Sequence, residues 1–238
     1  MSARGPAKAF LLAAGLGTRL RPLTDATPKC LVPIGGRPLL HWWLEICARL
    51  GVADVLINTH HLAEQVRAFA KSRAGGPRIA LFHEDSLLGS AGTLAANKTF
   101  VAGERDFWIF YADTLIGADL APLAGLHRAR GADLTLGLFR SATPSSGGVV
   151  ESAADGRVLS FEEKPARPKS DLVAAGAYVA GPALLNVLPA GVGDLSRDAF
   201  PKLMGNAYAS VLDPVVDLGT PESYARAREE WPRFGLQR

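Results

Sequence analysis

The first 140 residues alternate short apolar runs with amphipathic segments, and no other feature constrains the fold as much. Runs at 7–12, 54–58, 78–82, 107–111 and 134–139 are short and rich in apolar or β-branched residues, the composition of buried strands. Between them, residues 38–50 set Leu39, Trp43, Ile46, Cys47 and Leu50 on one helical face, and 62–70, 91–97 and 120–130 also read as helices. Alternating strand and helix predict an α/β fold: a Rossmann-like, mostly parallel mixed sheet with helices on both faces. Ligands of such sheets collect at the carboxyl ends of the strands, so the residues that follow strands matter most.

After Ser141 the texture changes. Residues 148–151, 157–161 and 174–179 are strand-like pieces separated by turn signals, and 182–188, 195–204 and 221–230 read as short helices. We read 1–238 as a single domain in which 141–230 forms a smaller lobe on the same sheet.

Composition narrows the class. A 48% hydrophobic and 21% charged content belongs to an ordinary globular chain and argues against disorder or a fibrous structure. The net charge of +3 is too small and too dispersed to indicate nucleic acid, although it suits phosphate ligands. The two cysteines, Cys30 and Cys47, have no metal-binding spacing and give no basis for a disulfide framework. No apolar run approaches the ~18 residues that span a bilayer, and the start over 1–8 lacks the apolar core of a signal peptide. The expected location is cytoplasmic, with no membrane partner.

Chemistry concentrates after the first strand, at Ala13-Ala14-Gly15-Leu16-Gly17-Thr18-Arg19-Leu20-Arg21-Pro22-Leu23-Thr24. Two glycines let backbone N–H groups approach a phosphate, and the Arg19 guanidinium matches phosphate oxygens as a planar fork. The loop is neither a Walker A motif nor GxGxxG. Pro28-Lys29 follows closely enough to return a second cation to the same place. Taken alone, a glycine turn with two surface bases explains these residues equally well.

The longer pattern is more specific. The run from Ala13 to Pro38, continuing through Pro28-Lys29-Cys30-Leu31-Val32-Pro33-Ile34, resembles the signature of the sugar-1-phosphate nucleotidyltransferases, within the nucleotide-diphospho-sugar transferases. Four further stretches resemble that family in order: 84–94 (its E…LGTAGAL), Phe161-Glu162-Glu163-Lys164-Pro165 (FxEKP), 175–179 (AGxYV) and Val216-Asp217-Leu218-Gly219-Thr220-Pro221-Glu222-Ser223-Tyr224 (xDxGTPExY).

The resemblance implies an enzyme that joins a nucleoside monophosphate to a sugar 1-phosphate and releases pyrophosphate, with Mg²⁺ as cofactor. Residues 8–140 would be mainly the nucleotide-binding half and 141–230 mainly the sugar-phosphate lobe. Ala13, Ala14, Gly15, Gly17, Thr18 and Arg19 would bind the nucleotide. Arg19 would hold the departing phosphates and Lys29 the α-phosphate. Asp113 and Asp217 would hold the metal, and Asp113 counts with Arg19 and Lys29 as catalytic. The family's usual glycine before that first aspartate is Ala112 here. Gly89 and Gly92 would bring backbone to the nucleobase, and Glu84 would read its edge. Gly148, Glu163, Lys164 and Gly176 would bind the sugar phosphate.

His60 and His61 have no metal-ligand spacing and read as loop residues. Trp42 and Trp43 serve core or interface, which leaves a homodimer open, and Cys30 reads as packing. The favoured substrates are GTP with mannose or manno-heptose 1-phosphate. The alternatives are uridylyl transfer to N-acetylmuramate or glucose 1-phosphate, thymidylyl transfer, and a non-catalytic nucleotide-sugar-binding regulatory relative.

Overall fold

A computed structural model describes residues 5–236, so the polar start read over 1–8 lies partly outside the described residues. The chain opens with β1 (Lys8–Leu12). The short helix α1 (Leu23–Ala26) and a two-strand ribbon, β2 (Pro33–Ile34) and β3 (Arg37–Pro38), lead into α2 (Leu39–Arg49). Then come β4 (Asp54–Thr59) with α3 (Ala63–Ser72), and β5 (Arg78–His83) with α4 (Gly89–Ala96). β6 (Phe107–Tyr111), β7 (Thr114–Ile116) and α5 (Ala121–Arg130) complete the first half. The second half carries β8 (Leu134–Arg140), β9 (Gly148–Ser152), β10 (Val158–Glu163), β11 (Leu172–Ala180) and α6 (Pro182–Val187). It ends with β12 (Ala207–Val211), β13 (Val215–Asp217) and α7 (Pro221–Glu230).

Nine strands form one sheet, ordered β10-β9-β11-β6-β1-β4-β5, with β8 joined to β11 and β12 to β8. β5, β4, β1 and β6 are parallel, and β11 runs antiparallel beside β6, so the sheet is mixed and threads both halves. Successive residues of β1 enter opposite faces, as the two-residue repeat of a strand dictates. Ala9 and Leu11 join Trp43 and Trp108 in one cluster, while Phe10 joins Leu94, Phe107 and Phe200 in the other. Both tryptophans of α2 are core: the Trp42 indole donates to the Ile34 carbonyl and that of Trp43 to the Thr114 carbonyl, each at 2.9 Å. Among the described residues no helix is long and apolar enough to cross a membrane.

The structure revises several sequence expectations. In place of a helix over 195–204 stand a π-helical turn at Leu195–Ala199 and a 3-10 stretch at Phe200–Asn206. Pro201 explains the change, since it has no N–H to give and its ring blocks the carbonyl four residues back. The helix expected at 91–97 spans Gly89–Ala96. β11 is longer than the run at 174–179 and has an irregular register between Ala174 and Tyr178, where Gly176 adopts φ 74°.

Candidate active site

The phosphate loop begins where β1 stops. The Ala13 amide donates to Asn58 Oδ1 at 2.6 Å, which ties the loop to the end of β4. Gly17 takes a left-handed turn at φ 64°, its carbonyl accepts from Thr24 Oγ1, and a Cβ there would come within 2.8 Å of the Thr24 methyl. Only glycine satisfies both demands. Gly15 faces open space and lines two cavities, of about 250 and 300 Å³, that also share Lys29, Leu87 and Asp113. Ala13 and Ala14 line the first cavity, and Thr18 and Arg19 the second. The cleft therefore lies at the carboxyl ends of β1, β4 and β6, where a parallel sheet offers its ligand site.

Four charges converge in it. Lys29 is buried and pairs with Asp113 at 2.8 Å. Asp217 ends β13, which pairs with β7 so that Asp217 lies opposite Thr114, and the Leu218 amide donates to the Asp113 carbonyl at 3.0 Å. That ladder brings the two aspartates side by side. A Cβ on Gly219 would lie 2.9 Å from Asp217 Oδ2 and 3.1 Å from Arg19 Nη2, so its bare backbone leaves room for that carboxylate and guanidinium to flank it. Thr220 and Ser223 then cap α7 reciprocally, which fixes the exit from this segment. Ala112 is 1% exposed, its methyl packed in the apolar cluster and its amide bonded to the Leu12 carbonyl, so alanine is accommodated beside Asp113.

Desolvation, then the Asp113 charge, hold the Asp217 carboxyl above the usual carboxylate range against the opposing pull of Lys29 and Arg19. Two such carboxylates fit a hard divalent ion. A cation relieves their repulsion, and Mg²⁺ takes one or two protein carboxylates while filling its shell with water and phosphate oxygens. Among the described residues no cluster of three or more His, Cys, Asp or Glu could hold a metal by protein groups alone.

Glu84 is placed differently from the expectation. It is 2% exposed; Oε1 accepts from Asn58 Nδ2 (2.8 Å) and Thr93 Oγ1 (2.6 Å), and Oε2 from the Leu88 amide (2.9 Å). Both oxygens serve the protein, so Glu84 braces the loop and does not present a free edge. Gly89 lines the cavity, but Gly92 does not: its amide and that of Ala91 point to the Gly193 carbonyl, and a Cβ on Gly92 would come within 2.6 Å of the Gly191 carbonyl. Close packing of the 191–193 segment accounts for Gly92.

At the other end, a Cβ on Gly148 would meet Glu163 Oε2 at 3.1 Å. Burial raises the Glu163 carboxyl and Lys164 opposes the shift. Lys164 holds φ 50°, costly for a residue with a side chain, and its Nζ lies 3.8 Å from Glu163. Gly176 backs on Tyr111, with 3.0 Å between its Cβ position and the tyrosine Cβ. Asn58, Tyr111, Ser90 and Asp194, none of them singled out in the sequence, also line the main cavity. Asn58 and Tyr111 sit at strand ends and could have been found by that rule; Asp194 lies in a loop with no such signal.

His60 Nδ1 lies 2.7 Å from the Glu84 carbonyl and His61 Nε2 3.2 Å from that of Thr24, both loop contacts. Burial pushes the Cys30 thiol up to about 12, which suits packing and not reactivity.

The pattern of the family described as nucleotidyl transferase matches residues 8–233. The chain belongs to that family. Among similar nucleotidyl transferases, UTP–glucose-1-phosphate uridylyltransferase of Synechocystis sp. is 35% identical over 92% of this chain and 62% of its own length. Mannose-1-phosphate guanylyltransferase of Mycobacterium tuberculosis is 34% identical over 94% of this chain and 64% of its own. The chain thus spans 62% and 64% of the length of these two curated relatives. HddC from Yersinia pseudotuberculosis, solved in complex with GMP-PN, superposes with a TM-score of 0.78 at 23% identity, covering 94% of this chain and 99% of that one. At that identity the likeness speaks for the nucleotidyl transferase fold.

Proposed function

We propose that this nucleotidyl transferase moves a nucleoside monophosphate from an NTP to a sugar 1-phosphate. The observation that carries the reading is the convergence of Arg19, Lys29, Asp113 and Asp217 on one cleft beside the phosphate loop. An oxygen of the sugar phosphate attacks the α-phosphorus. A new O–P bond forms as the bond to the β-phosphate oxygen breaks, and pyrophosphate carries the electron pair away. This displacement needs alignment and charge neutralisation more than covalent help.

Backbone amides of the Gly15–Gly17 loop hold the phosphates. The Arg19 fork takes the departing β- and γ-phosphates, and Lys29 exchanges Asp113 for the α-phosphate oxygens, where charge builds in the transition state. Asp113 and Asp217 would hold Mg²⁺, which when bound neutralises phosphate charge alongside these side chains. Glu163, Lys164, Gly148 and Gly176 receive the sugar phosphate. A binding-only role is disfavoured because all four charged positions are kept.

The favoured pair is GTP with a manno-configured sugar 1-phosphate, supported by the guanylyltransferase relative. UTP with glucose 1-phosphate is the second reading, because the uridylyltransferase relative is as similar. Pyrophosphate release with Mg²⁺, crossing five NTPs with mannose, heptose, glucose and N-acetylmuramate 1-phosphates, tests both. Release with GTP and a manno sugar is expected, and release with UTP and glucose 1-phosphate would replace the first reading by the second. Silence of folded, nucleotide-binding protein across the grid would defeat the enzymatic reading.

A further inference from the structure

Segments 88–92 and 191–195 come from opposite halves of the chain and meet at the wall of the main cavity, which Gly89, Ser90 and Asp194 all line. Their backbones are tied reciprocally. The Gly193 amide donates to the Leu88 carbonyl at 2.9 Å, and the Gly193 carbonyl accepts from the amides of Ala91 (2.9 Å) and Gly92 (3.3 Å). The approach is so close that a Cβ on Gly89 would stand 2.3 Å from the Gly193 carbonyl oxygen. Two amides at the N-terminus of α4 are thus satisfied by the other half of the chain.

The Ser90 side chain completes the tie. Its Oγ accepts from the Leu195 amide at 2.8 Å and donates to Asp194 Oδ2 at 3.3 Å. Asp194 Oδ1 accepts from the Ser196 amide (2.9 Å), and Asp198 Oδ2 accepts from the Asp194 amide (2.6 Å), so the turn that follows is braced on itself. That turn, Leu195–Ala199, leads to Phe200, whose ring meets Phe161 of β10 edge-on at 5.9 Å. Two residues further along β10 is Glu163. Burial raises its carboxyl most and Lys164 opposes the shift, but Asp194, the Ser196 hydroxyl and Arg197 act on it as well, which sets the turn against this carboxylate.

A continuous path therefore runs from the loop at Gly89, through Ser90 and Asp194, to Glu163. A nucleotide that settles against Gly89 fixes segment 88–92, and the shared hydrogen bonds fix 193–195 and the turn behind them. A sugar 1-phosphate arriving next finds Asp194 and Glu163 already ordered and loses less conformational entropy on binding.

We propose that Ser90 is a positioning residue that couples the nucleotide loop to the sugar-binding lobe, so that each substrate tightens the other. This rests on the nucleotidyl-transfer reading given above. The test is calorimetric, with Mg²⁺, on the pair that supports pyrophosphate release, the NTP being replaced by its α,β-methylene analogue. For the favoured pair these are α,β-methylene-GTP and mannose 1-phosphate. In wild-type protein the saturating analogue is expected to lower the Kd of the sugar 1-phosphate about tenfold, and the sugar to lower that of the analogue by the same factor, because coupling is reciprocal. In Ser90→Ala the factor should fall to about twofold or less, with an unchanged Kd for the analogue alone. Ser90→Thr keeps the hydroxyl and should restore the coupling, which a general loss of packing at this position would not allow.

Wild-type protein that binds both ligands without coupling would overturn the proposal with no need of a variant. So would a Ser90→Ala protein that keeps the full factor, one that weakens the analogue alone, or a Ser90→Thr protein as uncoupled as Ser90→Ala. If no pair supports release and neither ligand binds, the nucleotidyl-transfer reading itself fails, a result distinct from binding without coupling.

Discussion

In the proposed transfer, Lys29 is the residue on which the chemistry turns. Its ammonium is buried and held at 2.8 Å by an aspartate whose side chain remains 40% exposed, so the pair joins the phosphate loop to the end of β6 and stays open to an incoming anion. Lys29→Ala should leave a folded protein, because the Asp113 carboxylate it abandons can be solvated. Its kcat is expected to fall about 100-fold with a much smaller change in NTP KM, since the lost charge matters most when the α-phosphorus is five-coordinate. A change confined to KM would assign Lys29 to ground-state binding. Asp113→Asn and Asp217→Asn keep the shape of each side chain and remove its charge. Each should lower Mg²⁺-supported turnover about 100-fold; the melting temperature should hold or rise in Asp217→Asn, where facing carboxylates are relieved, and fall in Asp113→Asn, which leaves the buried Lys29 ammonium without its partner. Near-normal turnover in both variants would remove the metal assignment.

Between elements, Asn58 and Glu84 hold the cleft open in one shape. Through them the ends of β1, β4 and β5 and the first turns of α4 form one polar junction, from Ala13 to Leu88. Glu84→Ala strands the Asn58 amide and the Leu88 N–H in a buried place. The expected cost is about 1–3 kcal/mol of unfolding free energy, with a raised KM for the NTP and a kcat that changes less. Unaltered stability and affinity would show that the junction is dispensable.

The sequence could not reveal this junction, because its members stand 26 and 35 residues apart and meet only once β4 and β5 are paired. What was legible was periodic or contiguous. The parallel strands showed as apolar runs, and the two-glycine loop with Arg19 lay in one stretch. Pieces of two or three residues, such as β2, β3, β7 and β13, are too short to carry a period, although β13 is what delivers Asp217. Gly92 shows the opposite hazard: a glycine within a recognisable motif that close backbone packing explains.

Across the molecule, a single sheet carries both halves. β11 from the second half pairs with β6 of the first, and β8 joins β11, so neither half has a complete sheet of its own. Unfolding should be one cooperative event. All four tryptophans lie in the apolar cluster on one face, so their fluorescence reports that face while far-ultraviolet dichroism reports the whole chain. Coincident denaturant midpoints are expected from the two probes, and separate midpoints would mean that the smaller lobe unfolds on its own.

The same sheet carries β1 and β6, from whose ends the phosphate loop and Asp113 follow, and β9 and β10, which hold Gly148 and Glu163; the proposed reaction is a transfer between two phosphates. Its most direct test follows the phosphorus atoms. With an NTP labelled at either the α- or the γ-phosphate, a sugar 1-phosphate and Mg²⁺, the account predicts α-label in the nucleotide sugar and γ-label in pyrophosphate. Transfer of γ-label to the sugar, or retention of both labels in the NTP, would contradict it.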